Sequence, residues 1–425
     1  MSSTTKCSTL RTLGAALTMA AALTACSTAN TPSTEGGKQI LTLAANGGTA
    51  LKSLLPAFEK QNPDIKVVVK DYPQNYREVI GPQLAGGNAP DVIQVPPGGG
   101  NNVSAKLAGK RGYYADLSDA PWASEVPASA REQLSTDDGT LVGVPMTLSS
   151  IGGIYNQGAL DKAGLSVPQT WSQVLKLCAD ARKAGKTAYG LGLSDTWTTQ
   201  MIPYALTSSL VYGPEPKFID QQLADKASFA KSGWSTALDK YLQMERAGCF
   251  NKSPNGTPYS QVQDAIRAGD TLATVSVAAE TGSIASTGPK DLKLTYAAFP
   301  ATDDPKQTFL PTSVGPAYGI NAKSSHKDLA QKFLKFLAKP KTQLAHAKAF
   351  GDAAAMPGDQ PQDSEVAKVV EHFTTVKRTT TWPDRLWPST TTQPALFDGV
   401  QGLFSKQDSV GDVLSNMDGA FQQAR

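Results

Sequence analysis

The segment between residues 39 and 95 alternates between strand-like and helix-like hydrophobic patterns, and this restricts the fold more than any other feature of the chain. Apolar or β-branched runs at 39–45, 64–72 and 90–95 are typical of strands, whereas 50–61 and 76–87 have apolar residues at helical spacing. This alternation predicts a parallel sheet with helices on its faces. Ligands of such sheets bind beyond the carboxyl ends of the strands, which directs attention to Asn46, Gly47 and Gln94.

The first 26 residues have the three parts of a secretion signal: the basic residues Lys6 and Arg11, an apolar run at 13–23, and small residues up to Cys26. The run is shorter than the roughly 20 residues that a membrane-spanning helix needs. Leu-Thr-Ala-Cys at 23–26 resembles the lipobox of bacterial lipoproteins. The resemblance implies that residues 1–25 are cleaved, that Cys26 is lipidated, and that the protein is anchored to the cell membrane on its extracytoplasmic side. An ordinary signal peptide with an incidental cysteine is the alternative.

The composition after Cys26 predicts a short tether and then a large folded region. Residues 26–38 are rich in Ser, Thr, Pro and Gly, which predicts a flexible tether. Loss of the signal peptide leaves 38 basic and 37 acidic residues, and this near-neutral balance argues against a nucleic-acid partner. About 400 residues exceed what one hydrophobic core usually supports, so we expect two lobes.

Two cysteines, Cys178 and Cys249, remain once Cys7 is cleaved off and Cys26 is lipidated. Outside the cell two thiols can pair, and a disulfide here would close a loop of about 70 residues and stabilise the fold by roughly 4 kcal/mol. Two buried free thiols are the alternative.

A search for catalytic chemistry finds no motif that predicts an enzyme. HExxH, CxxC and GxSxG are absent, and the histidines at 326, 346 and 372 lack metal-ligand spacing. We therefore predict no catalytic residue, no metal and no cofactor. Glycosidases need only two unmarked carboxylates, so a carbohydrate-active enzyme stays open as an alternative.

Several aromatic residues lie in polar surroundings that suit a sugar ligand. A flat ring stacks on the CH face of a sugar while neighbouring polar groups bind its hydroxyls, and pockets of this kind combine aromatic walls with a few polar groups. Packing in a core is the alternative for each ring. The aromatic candidates and the charged residues beside them are Trp197, Tyr204, Trp382, Trp387, Asp195, Asp384 and Arg385.

A series of motifs along the chain resembles the extracellular solute-binding proteins, family 1, which are carbohydrate-binding lipoproteins of ABC importers. The central stretch has DG at 138–139, GVP at 143–145, YN at 155–156, AGL at 163–165 and TW at 170–171. APDVIQV at 89–95, AIRAGDTLATVSVAAETGS at 265–283 and GPAYGINAKSSHKDLAQKFLKFL at 315–337 fit the same family in the same order.

The resemblance implies an α/β, two-lobed, periplasmic-binding-protein-like fold (type II), each lobe a mainly parallel sheet flanked by helices. Three hinge crossings are expected near residues 147–150, 313–318 and 370. Residues 39–148 and 314–370 would form the N-lobe, and residues 149–313 and 371–425 the C-lobe. The ligand would bind in the cleft between the lobes, which close by a hinge motion.

The resemblance also implies the function and several contacts. The chain would be a monomer that captures a mono- to oligosaccharide and delivers it to the permease subunits of an ABC importer. Many relatives carry Trp near the position of Glu280, so this residue departs from the family pattern. The ligand contacts implied by family position are Asn46, Gly47, Gln94, Ser149, Ser150 and Glu280.

Two alternatives keep the secreted lipoprotein and change its role. A carbohydrate-active enzyme would use carboxylates such as Glu280 and Asp384. The same fold could instead bind a polyamine, which needs clustered acids, or a polyol phosphate, which favours arginines and helix N-termini. Only scattered acids are present, and Arg385 is the only arginine beside a candidate site, so the sequence favours a neutral saccharide.

Overall fold

The structure, a computed structural model, describes residues 34–73 and 75–423. The predicted signal peptide, Cys26 and the first part of the tether lie outside these residues. Strands and helices alternate along most of the chain. The strands are β1 (Thr34–Glu35), β2 (Lys38–Ala45), β3 (Ile65–Asp71), β4 (Val92–Gln94), β5 (Val144–Pro145), β6 (Thr147–Asn156), β7 (Thr187–Tyr189), β8 (Thr271–Val277), β9 (Leu294–Ala297), β10 (Leu310–Val314), β11 (Ala317–Ile320), β12 (Ala353–Ala354) and β13 (Thr379–Thr380).

The helices flank two separate sheets. They are α1 (Thr49–Lys52), α2 (Leu55–Gln61), α3 (Tyr76–Gly86), α4 (Ala105–Lys110), α5 (Ala128–Leu134), α6 (Gln157–Ala163), α7 (Trp171–Lys183), α8 (Met201–Thr207), α9 (Phe218–Leu223), α10 (Gly233–Arg246), α11 (Tyr259–Ala268), α12 (Glu280–Ser286), α13 (Lys327–Leu337), α14 (Pro340–Phe350), α15 (Glu365–Thr375), α16 (Pro383–Leu386), α17 (Thr392–Ser405) and α18 (Val410–Gln422). The single helix predicted at 50–61 is two helices, because Pro56 cannot donate a hydrogen bond to the carbonyl of Lys52.

The first sheet has the order β1–β2–β4–β11–β5, with β3 also paired to β2. β2 runs parallel to β3 and β4, as the alternating pattern predicts, while β11 runs antiparallel to β4 and β5. β1 pairs antiparallel with the start of β2, so regular strand pairing begins within the segment 26–38 that was expected to be a tether.

The second sheet has the order β13–β10–β6–β8–β7, with β9 and β12 also paired to β6. Every strand paired with β6 runs antiparallel to it, and only the β7–β8 and β10–β13 pairs are parallel. The prediction of mainly parallel sheets is therefore wrong: both sheets are mixed. In the second sheet, β6 carries the chain into the lobe and β10 carries it back, and these two paired strands run in opposite directions.

The chain passes between the two sheets at three places. It leaves the first sheet at β5 and enters the second at β6, and it returns between β10 and β11. The third crossing follows α14, where β12 pairs with the start of β6 and α15 then packs against β9 and β12. This crossing lies beside Asp352, earlier than the position near residue 370 that was expected, because Val366, Ala367 and Val370 pack in the second lobe.

Each lobe has its own hydrophobic core. The first core draws on β2, β4, α3 and α13, and the second on β8, α7, α8, α10, α17 and α18. A smaller third cluster packs α11 and α15 against β6. The second core contains a disulfide between Cys178 on α7 and Cys249 after α10, both fully buried. No helix within the described residues is both long and apolar enough to span a membrane.

Candidate functional site

The carboxyl ends of β2, β3 and β4 bring the first-lobe candidates together. The backbone N–H of Asn46 donates to Oε1 of Gln94 at 2.7 Å. The N–H groups of Gly47 and Gly48 donate to the two carboxylate oxygens of Asp71 at 2.9 and 3.0 Å. Lys52 pairs with the same carboxylate at 3.1 Å. Asn46, Gly47 and Gln94 therefore form one polar edge of the first lobe, as predicted.

Asp71 organises this edge, although the sequence analysis did not select it. Partial burial raises its pKa, but the hydrogen bond from Gly48 N–H and the pairing with Lys52 outweigh that effect, so the pKa is lowered overall. The carboxylate is therefore charged at neutral pH and holds the turn after β2 in place. Its position as the last residue of β3 is the signal that could have identified it.

The glycine loop, which we define as residues 98–100, touches the second lobe at the segment 384–387. The N–H of Gly99 donates to the carbonyl oxygen of Arg385 at 2.9 Å. A Cβ atom on Gly99 would lie 2.7 Å from the carbonyl oxygen of Trp387, and one on Gly100 would lie 2.5 Å from that of Asp384. Only glycine permits this approach of two backbones. The backbones of the two lobes are thus in direct contact at this point.

Asp384 and Arg385 form an ion pair directly beneath the glycine loop. Nη1 of Arg385 lies 3.4 Å from Oδ2 of Asp384, and the guanidinium lies over the ring of Trp382 at 5.4 Å. The pair is not saturated: Oδ1 of Asp384 and Nε of Arg385 are buried and have no hydrogen-bond partner among the described residues. Trp382 is itself tied to the crossing strand β10, because its Nε1 donates to the carbonyl of Pro311 at 3.3 Å.

Two further aromatic candidates, Tyr204 and Trp387, are buried in the second core. Trp387 and Tyr204 are 0% exposed, and their rings meet edge to face at 6.0 Å inside the second core. Trp387 also packs against Phe229 and Trp234, so its polar neighbours in the sequence mark the ends of helices, not a pocket. The expectation that Trp387 and Tyr204 present their rings to a ligand is corrected: they are core residues.

Asp195 and Trp197 lie at a separate place, beside the start of α11. Oδ2 of Asp195 accepts a hydrogen bond from the N–H of Tyr259 at 2.7 Å. The half-buried ring of Trp197 packs edge to face on Tyr259 at 4.9 Å. These contacts hold α11 in position, and within the described residues no hydrogen bond or ion pair joins the two side chains to the Asp384–Arg385 pair.

The hinge collects Ser149, Ser150 and Glu280 around a buried acid, Asp352. Thr147 and Ser149 both donate to Oδ2 of Asp352, while its Oδ1 has no partner among the described residues. Ser150 shares a hydrogen bond with the hydroxyl of Tyr296 at 2.8 Å. Glu280 accepts from Nε2 of Gln263 at 2.7 Å, and its burial raises its pKa. Asp352 thus ties the third crossing to the first.

Burial raises the pKa of Asp352 from 3.8 to about 7, against the lowering effect of Ser149 and Thr147. The folded protein therefore holds this proton more tightly than the unfolded chain does. The resulting stability is fully present below about pH 4 and is lost as the pH rises to about 7. Asp352→Asn, which mimics the protonated form, should be more stable than the wild type at pH 8 by at least about 1 kcal/mol.

Urea unfolding at pH 4.5, 6 and 8 measures this effect, and Asp239→Asn, at an exposed position on α10, is the matched control. The difference in free energy of unfolding between Asp352→Asn and the wild type should grow with pH, whereas the difference for the control should stay constant. A constant difference for Asp352→Asn would contradict the raised pKa of Asp352.

The hinge also contains Gln133 of α5, which the sequence analysis missed. Its Oε1 accepts from Ser313 Oγ at 2.6 Å and from Val314 N–H at 3.1 Å, and its backbone carbonyl accepts from Gly98 N–H at 2.6 Å. Gln133 thus links the second crossing to the glycine loop. A crevice of about 630 Å³ opens beside it between α5 and α15, but none of the predicted ligand contacts lines that crevice. The described residues contain no cluster of His, Cys, Asp or Glu suited to a metal ion.

The structure has two α/β lobes joined by three crossings, and the lobes meet at an ion pair with unused hydrogen-bonding atoms. This arrangement defines a hinged, two-lobed binding protein. The family model of the bacterial extracellular solute-binding proteins matches residues 44–344, and the chain belongs to that family of binding proteins, which are not enzymes.

The chain is similar in sequence to the maltodextrin-binding protein MdxE of Bacillus subtilis, with 23% identity and 94% of each chain covered. Its fold is similar to the solute-binding protein RafE in complex with raffinose, at a TM-score of 0.75 and 23% identity over 90% of this chain and 99% of that one. A sugar transporter of Bacillus licheniformis in complex with stachyose gives a TM-score of 0.73 and 18% identity over 91% of this chain and 100% of that one. These likenesses confirm the two-lobed fold.

Proposed function

We propose that this chain captures a mono- to oligosaccharide between its lobes and, as a monomer, delivers it to the permease subunits of an ABC importer. The observation that carries the proposal is the unsaturated Asp384–Arg385 pair where the lobes meet. One acceptor, Oδ1 of Asp384, and one donor, Nε of Arg385, have no partner there among the described residues. Each sugar hydroxyl can both donate and accept, so two neighbouring hydroxyls match this arrangement. The names of the relatives, which bind maltodextrin, raffinose and stachyose, support the same ligand class.

The predicted contacts divide into strong and weak candidates under this proposal. Trp382 lies next to the ion pair, and its flat ring supports the guanidinium of Arg385. The polar edge at Asn46, Gly47 and Gln94 belongs to the first lobe. Ser149, Ser150 and Glu280 line the hinge. Asp195 and Trp197 are weaker candidates, because their observed contacts serve to hold α11.

A titration with named sugars tests the proposal directly. Raffinose, stachyose, melibiose and maltotriose are added to the purified chain, and the melting temperature and the heat of binding are measured. A ligand at 100 times its Kd should stabilise the fold by about 2.7 kcal/mol. Asp384→Asn should weaken binding at least about tenfold, because a charged hydrogen-bond acceptor is removed. The exposed control Asp239→Asn should bind as the wild type does.

Loss of binding in both Asp variants, or in neither, would argue against a site at Asp384. Absence of any shift with all saccharides would overturn the proposed function. The same incubations, analysed by chromatography, should contain only the sugars that were added, since a binding protein leaves its ligand intact.

We propose that Cys26 carries the lipid anchor and that the protein works on the extracytoplasmic side of the cell membrane. The lipobox pattern at 23–26 supports this, and membership of an extracellular family agrees with it. Cys26→Ser should move the protein from the membrane fraction to the soluble fraction, as followed by immunoblotting, while Cys7→Ser should leave it at the membrane. Retention of Cys26→Ser at the membrane would contradict the anchor.

A further inference from the structure

Gln133, a buried residue near the end of α5, makes two hydrogen bonds to the second crossing. Its Oε1 accepts from Oγ of Ser313 at 2.6 Å and from the N–H of Val314 at 3.1 Å. Its Nε2 donates to the carbonyl of Ser129 at 3.2 Å, one turn earlier in α5. A backbone N–H can only donate, so the amide oxygen must face Val314 and the side chain has one orientation. The side chain of Gln133 therefore joins α5 of the first lobe to β10.

The backbone of the same residue holds the glycine loop. The carbonyl group of Gln133 lies in the last turn of α5, where carbonyls lack a partner within the helix, and it accepts from the N–H of Gly98 at 2.6 Å. Gly98 has a φ of +69°, in the left-handed region that favours glycine. A Cβ atom on Gly98 would overlap the carbonyl oxygen of Arg385. The position of α5 thus determines where the glycine loop lies against the second lobe.

These bonds belong to a closed path of contacts that runs through both lobes. From the Gln133 bonds, β10 leads back to Pro311, whose carbonyl accepts from Nε1 of Trp382 at 3.3 Å. The chain then reaches Arg385, whose carbonyl accepts from the N–H of Gly99 at 2.9 Å, and the glycine loop returns the path to Gln133. A rotation of the lobes about the crossings separates Gly99 from Arg385, whereas the bonds of Gln133 lie at the second crossing and can persist.

We propose that Gln133 is a positioning residue for ligand capture: it holds the glycine loop at the place where the loop meets Arg385 as the lobes close. The inference rests on the proposed function, since it assigns a further residue to the same site. Gln133 acts on the saccharide through the loop, because a loop that is already fixed meets the second lobe without a further loss of entropy. The ligand leaves after this contact is broken, so Gln133 slows its dissociation.

Stopped-flow measurements with raffinose and maltotriose, followed by tryptophan fluorescence, test the inference on the purified chain. Gln133→Met keeps the length of the side chain and removes the acceptor, so the side chain no longer bonds α5 to β10. The dissociation rate constant of the sugar should rise about tenfold, while the association rate constant should stay within about twofold of the wild-type value. Gln331→Met, the same substitution at an exposed position on α13, should leave both rate constants unchanged.

A double-mutant cycle with the glycine loop separates positioning from a general structural role. Gly99→Ala places a Cβ atom 2.7 Å from the carbonyl oxygen of Trp387 and so prevents the loop from meeting the second lobe in the same way. In this background Gln133→Met should change the dissociation rate constant by less than about twofold, because the contact that it positions is already lost. A purely structural role of Gln133 would instead change this rate constant by the same factor in both backgrounds.

Ser313→Ala removes one of the two donors to Gln133 and leaves the other, so it tests the same link if Gln133→Met fails to fold. It should raise the dissociation rate constant about threefold in the wild type and leave it unchanged in Gly99→Ala. Unchanged dissociation in Gln133→Met and Ser313→Ala, or equal factors in both backgrounds, would overturn the inference and leave the proposed function intact. No binding of any saccharide to the wild type would overturn both.

Discussion

Replacement of Cys178 and Cys249 by alanine is expected to lower the free energy of unfolding of the second lobe by about 4 kcal/mol. The disulfide joins α7 to the segment after α10 and spans 71 residues of sequence. Without the disulfide the unfolded chain has more conformational entropy, whereas the folded state is not stabilised. Both sulfur atoms lie in the fully buried part of the second core, so the loss of packed atoms adds to the effect.

Urea unfolding of a chain that begins at Ser27 measures this loss, since that chain lacks Cys7 and Cys26. Reductant should lower the free energy of unfolding of the wild type to nearly that of the double alanine variant. The free energy of unfolding of the variant itself should not change. Thiol titration of the unreduced protein in urea should find no free thiol. Two free thiols, together with equal stability with and without reductant, would show that the cysteines are not paired.

Trp387→Ala is expected to lower the free energy of unfolding by about 3 to 5 kcal/mol, the usual range for removal of a buried tryptophan from a core. The ring is fully buried and meets Trp234, Phe229 and Tyr204. Its removal leaves a cavity that these rigid rings cannot fill. Trp387→Phe keeps most of the contacts and should lose less.

Thermal and urea unfolding of both variants measure the effect, with Trp197→Ala as the comparison. The Trp197 ring is only half-buried, so its removal should cost less stability than the removal of Trp387. If Trp387→Ala kept the stability of the wild type and lost affinity for a sugar, the ring would be a ligand contact and its assignment to the core would be wrong.

The elements that the sequence predicted well are those with strong local patterns. The strands β2 and β3 and the helix α3 follow the predicted ranges closely, because hydrophobic periodicity and the glycines at 86–87 mark them without reference to the rest of the chain. The direction of β6 has no local signal. It depends on which lobe the chain enters, and this is why the prediction of mainly parallel sheets failed.

Only part of the candidate site could be predicted, because local sequence does not show which residues meet in the folded protein. Asp384 and Arg385 could be selected because they stand beside tryptophans in a polar segment. Trp387 shares those polar neighbours and is nevertheless in the core, since local polarity does not report which way a ring points. Contacts between lobes are therefore the part that a local pattern misses.

The glycine loop has a consequence for which ligands can be transported. Its backbone meets the carbonyl groups of Asp384, Arg385 and Trp387 with no side chain between them. The loop therefore limits how thick a bound ligand can be at this place. The two backbones can come into contact only when no part of the ligand lies between them. A saccharide with a branch on that side can still enter the open cleft, but it holds the lobes apart by at least the width of the branch. We expect such a sugar to be a competitive inhibitor of uptake and not a substrate.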